Sequence, residues 1–105
     1  MKKILRLSII ALCVNNTNAQ WQKTNGTNGQ IIECFAISGS NIFAGAFAYE
    51  GLDYLGGVFL SIDAGINWTS VNNGMPAKTN VVSLAISGNN IFAGTSIGIF
   101  LSTNN

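Results

Sequence analysis

Three features of the chain predict an all-β fold. Short apolar runs are punctuated throughout by Gly, Asn and Ser, the pattern of strands separated by turns. No stretch beyond residue 20 carries the 3.6-residue apolar period of a helix. Most informative is a repeat: Ala36-Ile37-Ser38-Gly39-Ser40-Asn41-Ile42-Phe43-Ala44-Gly45 returns 49 positions later as Ala85-Ile86-Ser87-Gly88-Asn89-Asn90-Ile91-Phe92-Ala93-Gly94, changed only at Ser40 against Asn89. A second block, Gly57-Val58-Phe59-Leu60-Ser61, recurs as Gly98-Ile99-Phe100-Leu101-Ser102 at an offset of 41, so the first copy carries 8 extra residues between Gly45 and Gly57. Repeats of roughly 40–50 residues built from short strands are the sequence form of propeller blades. The expected architecture is a partial β-propeller: one complete four-stranded blade, a three-stranded partial blade and an N-terminal outer strand.

The strands follow in order. Residues 21–24 read as the outer strand, 31–37, 42–45, 57–61 and 68–71 as the first blade, and 81–86, 91–94 and 99–102 as the second. Ser38-Gly39-Ser40-Asn41 and Ser87-Gly88-Asn89-Asn90 are matching hairpin turns, since Gly and Asn accept the positive φ of tight connections. Blade repeats are thus placed at about 31–71 and 81–105. Trp21-Gln22-Lys23-Thr24 is similar to Trp68-Thr69-Ser70-Val71, which suggests that the N-terminal strand completes the second blade. A propeller ring needs about 4–8 blades and this chain supplies two, so further blades or self-association are expected. In the latter case residues 21–24 of one copy would lie beside residues 98–102 of another.

Residues 1–19 read as an export signal: Lys2, Lys3 and Arg6 precede an apolar run from Leu7 to Val14, and Thr17-Asn18-Ala19 supplies small residues for cleavage. That run falls short of the roughly 20 residues a membrane span requires. A buried N-terminal element is the competing reading, and a lipid-modified Cys13 is disfavoured by the bulky Leu12 before it. Residues 20–105 then form a secreted or cell-surface domain. They carry Lys23 and Lys78 against Glu33, Glu50, Asp53 and Asp63, a net charge of −2. Without Arg, such a chain cannot build the basic stripe that nucleic acid requires. Cys34 is left as the single thiol, which excludes an internal disulfide and suits a small core residue.

One motif stands out. Ser61-Ile62-Asp63-Ala64-Gly65-Ile66-Asn67-Trp68 fits the Asp-box pattern Ser-x-Asp-x-Gly-x-Thr-Trp, with Asn67 in place of Thr, and Ser102-Thr103-Asn104-Asn105 opens a second copy. Through this box and the repeat, residues 21–105 resemble the Asp-box (BNR-repeat, sialidase-like and sortilin-type) β-propellers. That superfamily includes sialidases, sortilin-type receptors, xyloglucan hydrolases and many secreted bacterial proteins. The resemblance implies a structural role for Ser61, Asp63, Gly65 and Trp68 at the blade periphery, away from a ligand face. The residues agree: an Asp just past a strand end can accept bonds from turn N–H groups, and Gly65 permits a sharp bend.

Catalytic constellations are harder to find. The three-arginine grip on a substrate carboxylate that the sialidases use has no counterpart after residue 19, and the chain has no His, so a Ser/His pair or a common metal cluster cannot form. No catalytic residue, metal or cofactor is therefore assigned. The inserted loop 46–56 is the candidate ligand site, because it gathers Tyr49 and Tyr54 beside Glu50 and Asp53, a mixture suited to stacking on a sugar or anchoring a protein. The expected function is a secreted binding or interaction module without catalysis of its own, with a carbohydrate or protein as ligand. The alternative is the N-terminal piece of an Asp-box glycoside hydrolase or sialidase whose catalytic residues lie beyond residue 105.

Overall fold

The structure is a computed structural model that describes residues 19–27, 29–49, 51 and 54–103. It is all-β, with two antiparallel sheets. The first runs in the order β1 (Ile31–Ser38), β2 (Asn41–Tyr49), β3 (Tyr54–Ser61) and β4 (Thr69–Ser70), and the second in the order β5 (Val81–Ser87), β6 (Asn90–Thr95) and β7 (Gly98–Ser102). Each strand pairs with its sequence neighbour, as expected where connections are too short for a crossover. Neither sheet closes on itself. Residues 1–18, which hold all but the last position of the expected export signal 1–19, lie outside the described residues.

The repeat in sequence is a repeat in register. Phe43 pairs with Leu60 and Ile42 with Ser61 in the first sheet, as Phe92 pairs with Leu101 and Ile91 with Ser102 in the second. Both leading hairpins close on two residues, between Ser38 and Asn41 and between Ser87 and Asn90. Gly39 (φ 59°) and Gly88 (φ 61°) hold the first central position, where type II′ turns require a positive φ. A feature not expected from the sequence is a bulge at the same place in both repeats, between Ile32 and Cys34 and between Val81 and Ser83. The extra residue is Glu33 in one copy and Val82 in the other, and each increases the local twist of its strand.

Three expectations are corrected. Residues 21–24 form no strand; the chain instead meets the first repeat through a single parallel bridge of Asn25 to Asn67. A strand needs a free edge to pair with, and here the N-terminal segment is committed to the turn after β3. The stretch 46–56 is also not mainly a loop, because β2 continues to Tyr49 and β3 begins at Tyr54 with Tyr49 paired to Tyr54. The eight inserted residues therefore lengthen a hairpin. The outer strand drawn over 68–71 shortens to Thr69–Ser70, and the side chain of Asn72 carries the pairing onward by accepting from the Val58 N–H at 2.7 Å.

The main core lies between the sheets. Phe43 and Val58 of the first sheet pack with Val81, Ile91 and Ala93 of the second, flanked by Cys34, Leu60, Leu84, Ile86 and Phe100. Strand β5 sits directly over β1 and β2, and the Gly57 N–H donates to the Thr79 carbonyl at 2.8 Å across the junction. A smaller cluster on the opposite face of the first sheet joins Ala44, Ala46 and Phe59 to Ile32 and Trp68.

Candidate functional site

Residues 61–68 form a turn knotted by side chains. Ser61 ends β3 wholly buried; its Oγ donates to Asp63 Oδ1 at 2.8 Å and accepts from the Gly65 N–H at 2.8 Å and, more weakly, the Asp63 N–H at 3.4 Å. Asp63 Oδ1 accepts in addition from the Asn67 N–H at 2.9 Å, and Oδ2 from Asn67 Nδ2 at 2.8 Å. These bonds, the Asn67 backbone N–H first, then its side-chain amide and the Ser61 hydroxyl, hold the Asp63 carboxyl down at about 2. A carboxylate so engaged is a weak proton acceptor at neutral pH. Ala64 (φ 62°) and Gly65 (φ 89°) take consecutive left-handed conformations, which makes the bend sharp enough for Asp63 to face Asn67.

Trp68 completes the turn and ties it to two other segments. Its Nε1 N–H is shared between the Gly65 carbonyl at 3.0 Å and Thr24 Oγ1 at 3.1 Å, while its ring meets Phe35 with centroids 6.2 Å apart. The N-terminal segment is fastened here. The Asn25 N–H donates to the Ile66 carbonyl at 3.0 Å and the Trp68 N–H to the Asn25 carbonyl at 2.9 Å. Gly26 then passes so close that a Cβ would lie 2.1 Å from the Trp68 carbonyl oxygen. Ser61, Asp63, Gly65 and Trp68 are thus brought together as one bonded unit.

The second candidate lies at the far end of the β2–β3 hairpin. Tyr49 and Tyr54 are cross-strand partners, and Phe47, which sequence reading passed over, joins them. The Phe47 ring is stacked on Tyr49 (6.0 Å, 19°) and edge-on to Tyr54 (6.5 Å, 64°). Period-2 geometry puts positions 47 and 49 on one face, and the alternation Ala46-Phe47-Ala48-Tyr49 was the available signal. Gln30 Oε1 accepts from the Leu55 N–H at 2.9 Å and the Gly56 N–H at 3.3 Å, which holds the start of β3 against the N-terminal chain. Glu50 and Asp53 lie outside the described residues. Tyr49 is largely exposed while Phe47 and Tyr54 are half-buried, so the cluster presents ring surface to solvent on a paired backbone.

Between the sheets opens a cleft of about 490 Å³, lined by Phe43, Leu60, Met75, Leu84 and Phe100 with Asn72 at its rim, and by no ionisable group among the described residues. Cys34 lies in the intersheet core, its Sγ 4.0 Å from the Val81 carbonyl, and burial pushes the thiol up. Among the described residues no three His, Cys, Asp or Glu side chains gather to hold a metal, and no helix is long and apolar enough to cross a membrane. The chain matches no family model, no curated protein and no solved structure.

Proposed function

We propose that this chain is a secreted, propeller-type binding and interaction module of the Asp-box kind, with no catalysis of its own. The two sheets are then a four-stranded and a three-stranded blade. The observation that carries the reading is the aromatic cluster Phe47, Tyr49 and Tyr54 at the end of the one hairpin that departs from the repeat. Repeats conserve what stacking requires, so an insertion that adds exposed aromatic surface without adding to the intersheet core is where a ligand contact belongs. Aromatic faces stack on the C–H faces of sugars, and phenolic hydroxyls bond their rims. A neutral carbohydrate is the favoured ligand.

The bonding within residues 61–68 supports a turn-holding role for Ser61, Asp63, Gly65 and Trp68, with the carboxylate directed at its own turn. The test is a glycan array probed with the purified chain and with Tyr49→Ala and Tyr54→Ala. Expected is a defined set of glycans bound by the parent and lost in both variants, whose melting stays close to that of the parent. Binding unaffected by either substitution, or no glycan bound at all, overturns the reading.

A further inference from the structure

Each sheet has two faces, and the repeat makes them comparable. The face of the first sheet that packs on the second is built from Cys34, Phe43, Val58 and Leu60; by the offsets of 49 and 41, the same positions in the second repeat are Ser83, Phe92, Ile99 and Leu101. These stand on the outer face of the second sheet, where Phe92, Ile99 and Leu101 are exposed. Val58 is 7% exposed where Ile99 is 78%, and Leu101 is 55% exposed where Leu60 is packed in the core.

The converse holds at the other end. The face by which the second sheet seats on the first includes Leu84 and Ile86 of β5, and their counterparts Phe35 and Ile37 of β1 are 61% and 68% exposed. Strand β5 is the part of the second repeat that lies over the first, so β1 is the equivalent docking strand. Trp68 packs with Ile32, Ala44 and Phe59 on that face and its ring meets Phe35 at 6.2 Å, yet Phe35 and Ile37 keep most of their surface exposed.

One chain therefore contains a formed interface, the counterpart of one half exposed at Ile99 and Leu101 and the counterpart of the other exposed at Phe35 and Ile37. We propose that a second copy of this chain docks here head to tail, its β1 face (Phe35, Ile37) seated on the outer face of the second sheet (Phe92, Ile99, Leu101) as β5 is seated on the first sheet within the chain. Exposed apolar patches of this kind mark interaction surfaces. A heterologous contact leaves one unused half at each end of the assembly, so addition continues until a ring closes or a filament grows. This goes beyond ligand binding and does not depend on it.

The experiment uses purified full-length chain and two single-face variants, Ile99→Lys and Ile37→Asp, studied by sedimentation velocity over a hundredfold range of concentration. Both positions are exposed, and unchanged far-UV circular dichroism with a retained melting transition verifies each fold; Leu101→Lys and Phe35→Asp form a second pair should either variant fail that control. Expected is concentration-dependent association of the parent, a one-chain mass for each variant alone, and a two-chain species when the two variants are mixed in equal amounts. That rescue arises only from a head-to-tail contact, since each variant keeps the half that the other lacks. A monomeric parent, variants that still associate alone, or a mixture that stays monomeric overturns the proposal. Continued association of both variants would assign the contact to other surfaces, including an edge of β7 or residues 1–18.

Discussion

Gly45 and Gly94 occupy the same place in an identical Ile-Phe-Ala-Gly string, yet replacing each with Ala should have opposite outcomes. A Cβ at Gly45 would lie 2.5 Å from Cys34 Sγ, 2.7 Å from Val81 Cγ1 and 3.2 Å from the Val81 carbonyl oxygen. Ordinary carbon contacts need about 3.5–4.0 Å, so the two sheets would have to separate by roughly 1 Å at Val81, a fully buried residue. Overpacking of that kind costs about 1–3 kcal/mol. Reduced freedom of the unfolded chain returns about 0.4–1 kcal/mol, which leaves a net loss of about 1–2 kcal/mol. At Gly94 the near atom is Ser83 Oγ at 2.4 Å, with Ser83 Cβ already at 3.8 Å. Ser83 is exposed and its hydroxyl can turn to another staggered position. The unfolded-state gain then dominates, and Gly94→Ala should be neutral or stabilising by up to about 1 kcal/mol. Urea unfolding followed by circular dichroism reads the difference. It is best done in the Ile99→Lys background so that association does not enter the equilibrium. Equal losses at the two sites, or a larger loss at Gly94, would refute the seating of β5 against β2.

The turn at residues 61–68 yields three more expectations. Ser61→Ala removes the acceptor of the Gly65 N–H and a donor to Asp63 and should cost about 2 kcal/mol, a fall in Tm of roughly 10 °C for a domain of this size. Asp63 ionises at about 2 when folded against 3.8 ordinarily; a folded pKa below the unfolded one stabilises above the unfolded value and is lost as acid protonates the folded carboxylate. Tm should hold from pH 7 to about 5 and drop between about pH 4 and 2, and Asp63→Asn should flatten that drop in a pH series of melts. Trp68→Ala should cost about 2–3 kcal/mol by denaturant titration, below the ~3–5 of a fully buried ring because this one is half-exposed, and should free residues 24–26 to proteolysis.

How much of this was readable beforehand depended on how local the cause was. Hairpin turns and register were legible because Gly39 and Gly88 each govern only the residues beside them, and a matched pair of strings must fold alike. The bulges at Glu33 and Val82 were hidden by their composition, although the doubled apolar residues Ile31-Ile32 and Val81-Val82 mark the places where period 2 breaks. Extension of β2 through Phe47 to Tyr49 was masked because an insertion relative to a repeat reads first as a loop. Placing residues 21–24 required knowing what they meet. Likeness to residues 68–71 suggested a strand, but pairing is decided by the partner, and the partner turned out to be the bend after β3. At the aromatic site the tyrosines were found by type, whereas Phe47 emerged only when strand geometry set it beside them.

The fastening of Asn25 to the Ile66 and Trp68 backbone has a consequence for the order of folding. Hairpins closed by two residues form within about 1–10 μs. The N-terminal clamp spans a sequence separation of 42, and its acceptors and donors are not in place until β3 has paired and the following bend has set. Closing a loop of that length instead of a four-residue one adds about 2 kcal/mol of chain entropy, so the clamp contributes little to the transition state and mainly slows unfolding. Along a chain synthesised from its N-terminus, Thr24, Asn25 and Gly26 precede everything they bind and wait unpaired until Trp68 has been made. Residues made before every strand are thus secured only after the four-stranded sheet has reached its closing bend.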